Sequence, residues 1–402
     1  MNFLFAWRYF RSKKSTNAIN IIAWIAVTAI AVGTAALIII LSVFNGFEEL
    51  VKGLYGDFYA AIKIVPAQSK TFHITAEQLQ KIKTVNYVTA YSLIAEEKAL
   101  LMGNFQTIVT VKGVEPNYNK INNIAKYVKR GKFDLGTQEN PAIIMGVGIE
   151  NAAGIDIGRS LTPTILYVPN KNASSFNSSD GLNSYNVTPT GTFVIQQDFD
   201  NKYVITNLAF LKYMLNMSDD EFSSIELNIA SDENGVKKQL QNILGSNYKI
   251  LTRYEQNQSF YVIMQIEKWV IYGILSLILV VAAFNMIGAL TMLVLEKQKD
   301  IAVLKALGAD ESRIKNIFLL EGLLLAIIGT SIGLLLASTI CWLQSTYHLI
   351  KLGGSTFIIN YYPVKTVYTD YLLVIATVGI IAFGAAWITA RKTSAQTFSL
   401  RS

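Results

Sequence analysis

One cysteine and two histidines are all that this 402-residue chain offers for disulfide or soft-metal chemistry. Cys341 lies within a long apolar run, so no disulfide braces the polar part of the chain. His73 and His348 are far apart and out of ligand spacing, which argues against a structural or catalytic metal. No G-x-x-x-x-G-K-[ST] phosphate loop occurs, so hydrolysis of ATP would have to take place in another chain. The glycine-rich GVGIENAAG stretch has the wrong spacing for a dinucleotide loop, and kinase, cyclase and protease signatures are missing. These absences leave little for an enzyme reading: no catalytic residue and no cofactor is expected in this chain.

Charge is scarce in four stretches, and there the chain declares itself a membrane protein. Hydrophobic residues make up 51% and mean hydropathy is +0.35. Residues 18–44, 269–295, 317–343 and 371–390 are each long enough to span a bilayer, which takes roughly 20 apolar residues. Span three carries only Glu321, near its polar end, where it could snorkel. Small residues at Ala29 and Gly33, at Gly329 and Gly333, and at Gly379 and Gly384 offer sites of close helix approach. The first apolar run is too long for a secretory signal, and no cleavage pattern follows it.

The formal net charge of +7 divides unevenly. The flanks of the spans (the segment before span one, residues 296–315 and the tail) hold 12 basic and 4 acidic residues, whereas residues 45–268 hold 21 and 22. The excess is therefore a topology signal and not a nucleic-acid footprint. Both termini and the loop around residue 300 are expected in the cytoplasm, and the large domain outside. Residues 1–17, with five aromatics beside Arg8, read as an interfacial helix. Residues 45–268 read as an external α+β domain entered and left by helical stalks, residues 344–370 as an outer loop and 391–402 as a cytoplasmic tail. Within the domain, helices are expected over Thr75–Lys83 and near Ile121–Lys129. The Asn/Ser/Gly-rich segment Asn170–Ser184 is expected as an exposed loop between strands Leu161–Val168 and Tyr185–Ile195.

Residues 296–316 carry the most specific pattern. A short amphipathic helix places Ile301, Leu304 and Leu307 on one face, with Val303 beside it, and Glu296, Lys297, Lys299, Asp300 and Lys305 around it. Gly308 supplies a left-handed stop and Asp310 a cap for the next helix. Such an element fits docking of a cytosolic protein.

The sequences LSVFNGFEEL, MGVGIENAAGIDIGRSLTPTILYVP and VVAAFNMIGALTMLVLEKQKDIAVLKALGA, with AWRYFRSKK near the start, resemble the MacB/FtsX-type permeases of type VII ABC transporters. More narrowly the whole chain is similar to the LolC/LolE family of lipoprotein-releasing permeases. That resemblance implies a bacterial inner-membrane permease subunit without ATPase activity, which extracts triacylated lipoproteins from the outer leaflet and passes them to a LolA-like carrier. It implies a LolD-like ATPase dimer holding ATP and Mg, and a second LolC/LolE-type permease or a second copy of this chain. Residues 296–308 would be the coupling helix. Phe44, Phe47 and Leu50, with Phe260 and Met264, stand where acyl chains would enter. Lys171 and Phe176 would be the carrier-binding residues of the exposed loop. The alternatives in the same superfamily are a MacB-like exporter and an FtsX-like non-transporting regulator.

Overall fold

The computed structural model describes residues 17–158, 162–169, 182–352 and 359–394. The interfacial segment before residue 17, Lys171, Phe176 and most of the tail lie outside those residues. Helix α1 (Asn17–Phe58) is unbroken; it is followed by β1 (Ile62–Pro66), β2 (Phe72–His73), α2 (Ala76–Lys83), β3 (Val88–Met102) and β4 (Gln106–Val114). Helix α2 begins at a capping box, in which Thr75 accepts from the Gln78 backbone and the Gln78 side chain bonds back to Thr75. Instead of the single helix expected near 121–129, two 3-10 turns form, Tyr118–Lys120 and Ile124–Tyr127. Asn122 and Asn123 turn their side chains onto the Phe58 carbonyl and the Asp57 carboxylate, competing with a helical ladder. Next come β5 (Val128–Gly131), β6 (Ala142–Gly146), α3 (Val147–Ala153), β7 (Thr164–Pro169), β8 (Leu182–Phe193), α4 (Gln197–Asp200), β9 (Tyr203–Asn207) and α5 (Leu208–Met214). The polar part closes with β10 (Glu221–Phe222), β11 (Ser224–Ile229), α6 (Glu233–Leu244), β12 (Tyr248–Thr252) and α7 (Arg253–Gln256). Helices α8 (Gln258–Glu296), α9 (Gln298–Ala306), α10 (Glu311–Tyr347) and α11 (Tyr368–Ser394) complete the order.

Two compact units result, one built mainly from residues up to Leu50 and from Val262 onward, the other from Val51–Tyr261. The second is an α+β domain of two lobes that share β3. In the first lobe the strands run β12-β1-β11-β3, all antiparallel, with α2 and α6 as the crossovers of a split βαβ pattern. Its core holds Ile62, Ile64, Ile82, Leu227, Val236 and Leu240. Although β10 pairs with β2 and Phe222 joins the first lobe's core, most of the chain between β3 and β11 is an insertion that forms the second lobe. There the ladder runs β3-β4-β9-β6-β8-β7, and β7 pairs back onto β3, so the hydrogen-bonded ring closes on itself. Leu101, Val111, Ile143, Met145, Leu166 and Val204 fill it, with Ile149 of α3 and Phe210 of α5 joining the same cluster.

Where the lobes meet, Lys112 of β4 and Glu226 of β11 are almost wholly buried and 2.7 Å apart. The Tyr118 hydroxyl donates to the other Glu226 oxygen at 2.7 Å. Burial pulls the Lys112 ammonium below its ordinary pKa, against the opposing pull of Glu226. Lys63 of β1 bonds Glu96 of β3 at 3.2 Å; burial works against its charge, but Glu96 and Glu226 outweigh that and hold it above its usual value.

The first unit contains four helices long and apolar enough to cross a membrane: α1, α8, α10 and α11. Their shared core draws Val27, Leu37 and Ile38 from α1, Met286 from α8, Leu325 from α10 and Val378 from α11. Gly329 and Gly333 of α10 meet the Val27 and Ala31 carbonyls of α1, and a Cβ on Gly333 would stand 2.5 Å from the latter. Gly33 of α1 receives Leu279 of α8, while Gly379 and Gly384 face open space and mark no close helix contact. Glu321 is buried beside Gly322, which lies against Leu290 and Ala386, and does not take the outward course open to it in the sequence.

Lys112→Met would leave Glu226 buried with a hydroxyl and the Lys63 ammonium, 3.9 Å away. Such a loss costs about 3–5 kcal/mol. Thermal unfolding of the purified chain should show a marked loss for this variant, and the added change Glu226→Leu should restore part of it.

Candidate functional site

The segment 296–316 forms a short helix with a tight stop, with its exposed face rotated from the one expected. Helix α8 ends at Glu296, Lys297 stands between the helices, and α9 ends at Ala306 with Leu307 as its cap. Gly308 takes the left-handed φ of +85°, and its N–H and that of Ala309 close onto the Lys305 and Leu304 carbonyls. Asp310 occupies the cap position of α10 but makes no side-chain cap bond. Lys297 pairs with Asp300 at 3.3 Å and Lys305 with Glu311 at 3.8 Å, which ties α9 to the start of α10.

Ile301, expected on the docking face, is buried. It packs in a cluster with Leu293, Val294, Ile314, Phe318 and Ala390. Leu304 is half-buried, and the residues that face outward are Lys299, Asp300, Val303, Ala306 and Leu307, the last 79% exposed. The apolar surface open to a partner is thus Val303 with Leu307, one helical turn apart. Ile301 anchors the helix beneath it.

The opposite end of the same unit holds a polar node that hydropathy does not reveal. Asn45 of α1, itself buried, donates to the Asp370 carboxylate at 2.5 Å and accepts from the Lys268 ammonium at 2.8 Å; Lys268 and Asp370 are 3.5 Å apart. Three helices, α1, α8 and α11, are joined by it. A cavity of about 220 Å³ lies beside it, lined by Glu48, Gln265, Trp269 and Tyr272 among others. Nearby, the Lys365 amide bonds the Ser42 carbonyl, its ammonium pairs with Glu49 at 2.8 Å, and Gly46 lies against the backbone of Pro363. The Tyr272 hydroxyl meets Thr377, a further α8–α11 bond.

The five candidates for acyl contact are not gathered into one exposed surface. Phe47 lies edge-on to Tyr362 at 5.8 Å, Phe44 and Leu50 are half-buried, and Met264 is buried. Phe260 stacks on Tyr55 at 4.7 Å within the α+β unit. There Tyr55 also meets Phe199 at 4.8 Å and donates to Asp198 at 2.7 Å, while Phe58 stacks on Phe199 at 4.1 Å. Burial and the Asp198 carboxylate push the Tyr55 hydroxyl well above its ordinary pKa. Asp200, at the end of α4, accepts the Ile195 amide at 3.0 Å, yet burial lifts its carboxyl to about 6. On α8 the apolar residues that do face outward in this region are Val262, Ile263, Ile266 and Trp269. Segment 170–181 lies outside the described residues; the strands that flank it are paired, with Pro169 opposite Leu182.

A family model described as "MacB-like periplasmic core domain" matches residues 23–242, more than half of the chain, and one described as "FtsX-like permease C-terminal" matches residues 272–398. The chain is 25% identical to the lipoprotein-releasing system transmembrane protein LolC of Xylella fastidiosa (strain 9a5c), over 96% of this chain and 95% of that one. The chain belongs to the LolC/LolE family of FtsX-like permeases. LolC of Neisseria meningitidis is 25% identical over 95% and 94% of the two chains, and LolE of Haemophilus influenzae is 26% identical over 93% and 92%. In this LolC/LolE-type permease the unit from Val51 to Tyr261 falls within the match to the MacB-like periplasmic core domain but for its last residues, and lies between the first and second membrane-spanning helices.

Two outcomes test this geometry. Asp370→Ala in the permease leaves the Lys268 ammonium with only the neutral Asn45 amide and the buried Asn45 amide without its acceptor. It should lower the unfolding temperature of the detergent-solubilised chain, at a cost of about 1–3 kcal/mol. Adding Lys268→Met should recover much of it. For Asp200 the folded pKa lies above the unfolded one, so the folded state keeps its proton to higher pH and stability drains away as pH rises from about 4 to about 6. Asp200→Asn should flatten that slope in a thermal-unfolding series across pH and stabilise the domain at neutral pH.

Proposed function

We propose that this chain is the permease subunit of an ABC transporter that extracts lipoproteins from the outer leaflet of the bacterial inner membrane and passes them to a soluble periplasmic carrier, powered by a separate ATPase. The observation that carries the reading is α9: a short helix between two spans, anchored inward by Ile301 and presenting Val303 and Leu307 outward beside Lys299 and Asp300. Near full-length similarity to LolC and LolE of the lipoprotein-releasing system supports the cargo class. The basic flanks support a cytoplasmic position for α9 and both termini, with the large domain in the periplasm.

In this reading the chain performs no chemistry. ATP and Mg sit in a LolD-like ATPase dimer whose grooves receive α9 from this permease and from a second LolC/LolE-type subunit or a second copy. Lifting acyl chains out of a bilayer costs about 0.8 kcal/mol for each CH₂ that leaves the hydrocarbon, so several chains demand work that only nucleotide hydrolysis supplies. The outward apolar residues of α8, Ile263, Ile266 and Trp269, are a surface for acyl chains or for the second permease.

Burying Val303 and Leu307 in an ATPase groove is worth about 1.5–3 kcal/mol each. The double change Val303→Asp with Leu307→Asp should abolish co-purification of the ATPase and lipoprotein release while the permease still inserts and folds. Ile301→Asp, by contrast, should destabilise the permease itself. An intact complex carrying the double change and releasing lipoprotein at the normal rate would refute the assignment of α9.

A further inference from the structure

The α+β domain contains a second feature that lipoprotein release as such does not require. A cleft of about 600 Å³ opens where its two lobes meet, lined by Lys63, Lys70, Lys98 and Lys202 against Glu96 and Glu97. Four cations face two carboxylates there, in a domain whose total charge is nearly balanced. Glu96 and Glu97 are engaged by Lys63 at 3.2 Å and Lys70 at 3.6 Å. Burial works against the Glu96 charge, but Lys63, Lys112 and Lys202 together hold its pKa below the usual carboxylate range. Among the described residues neither Lys98 nor Lys202 has a carboxylate within ion-pair distance, and both are exposed.

The cleft wall supplies a second, independent sign of a ligand. Ser224 is 1% exposed and lines the cleft, yet its hydroxyl has no hydrogen-bond partner among the described residues. A buried polar group left in that state is costly, and the cost is removed when a ligand accepts from it. The backbone offers a further donor. Strand β3 is paired to β11 up to Ile94 and to β7 from Leu100; between them it is paired to β4 alone among the described strands. There the Glu96 amide donates to the Ser223 hydroxyl at 2.9 Å, and the Lys98 amide donates to the neighbouring Glu97 side chain at 3.1 Å, a local bond that a ligand could replace. Val65 and Pro66 add apolar wall between the charges.

We propose that this cleft binds an acidic polypeptide segment of the cargo, its carboxylates set between Lys98 and Lys202 and one of them accepting from Ser224. The space exceeds what one small anion fills, and an extended chain would meet the edge of β3 that β11 and β7 leave uncovered as well as the lysines. The proposal rests on the release reading for the identity of the partner, whereas the charge selection stands on the cleft alone.

The test uses the full chain in detergent and a short fluorescent peptide rich in Asp and Glu, beside its Asn/Gln counterpart, with binding read by anisotropy. The acidic peptide should bind and the amide peptide should not, and added salt should weaken the binding. Lys98→Glu with Lys202→Glu should reduce affinity about tenfold or more, because two attractive contacts become repulsive. Ser224→Ala, which removes a hydroxyl without a partner among the described residues, should weaken binding by a smaller factor at unchanged thermal stability. Equal binding of the amide peptide, or unchanged affinity in both variants, would overturn the proposal. So would displacement of the peptide by inorganic phosphate at equal concentration, which would make the site a phosphate site. Because no ATPase and no lipid anchor enter this assay, peptide binding without lipoprotein release would count against the proposed function alone. Release without peptide binding would count against the cleft alone.

Discussion

The membrane unit depends on the closeness with which α10 lies against α1. Gly329 and Gly333 put bare backbone against the carbonyls of Val27 and Ala31, and a side chain at either position would force the helices apart. Within a bilayer, lipid tails match leucine in polarity, so helices gain from contact chiefly through dispersion and shape. A close glycine seam is the strongest contact of that kind available. It makes α1 the most buried of the four spans, covered also by α8, whose Leu279 fills the notch at Gly33. Helix α8 is correspondingly the least covered, and a long apolar strip of it, including Ile274, Leu277, Val281 and Phe284, faces outward. The asymmetry between a central α1 and a peripheral α8 thus begins with two missing side chains.

The four spans were legible because apolar length is a local property. The stop at Gly308 and the start near Asp310 were legible for the same reason: each depends on the conformational preference of one residue and its immediate neighbours. The face of α9 was not. Periodicity marks a stripe containing Ile301, Leu304 and Leu307, but a helix lying across the end of a bundle has apolar surroundings beneath it, and the stripe does not say which of its members the bundle claims. Leu293, Ile314 and Phe318 claim Ile301 and leave Val303, which stands beside the stripe, to face outward. The surroundings of the acyl-contact candidates were hidden in a related way. Phe47 and Phe260 have the size and position of lipid-facing residues, yet aromatic partners, Tyr362 and Tyr55, already occupy them.

What no local pattern could supply was pairing across long stretches of chain. Asn45, Lys268 and Asp370 read in sequence as the polar margins of three apolar runs. In the fold they are one another's ligands, with Asn45 and Asp370 separated by 325 positions. The domain shows the same limit. Helix α2 and the strands β7 and β8 form within a few residues of where alternation and capping put them. That β3 pairs with β11 along its first half and with β4 along its second depends on strands from separate parts of the chain, so the division into two lobes is invisible until both partners are placed.

The fastenings of this molecule are of two physical kinds, and their distribution has a consequence. Along the spans the contacts are alkyl and glycine seams, which are non-directional and tolerate a small slide or rotation at little cost. At the end bearing Asn45, Lys268 and Asp370 the contacts are short, directional and partly charged, and they are worth most in one arrangement and cost free energy when half broken. A polar node of this kind does not creep; it holds or it opens. The ion pairs around Lys112 and Glu226 act likewise between the lobes of the α+β domain, where a buried ammonium and carboxylate must keep each other or both be hydrated. Any motion that a partner imposes on this chain would be taken up smoothly along the apolar seams and resisted in discrete steps at the polar nodes. The residues that set those steps are the ones that hydropathy alone would have dismissed as boundaries.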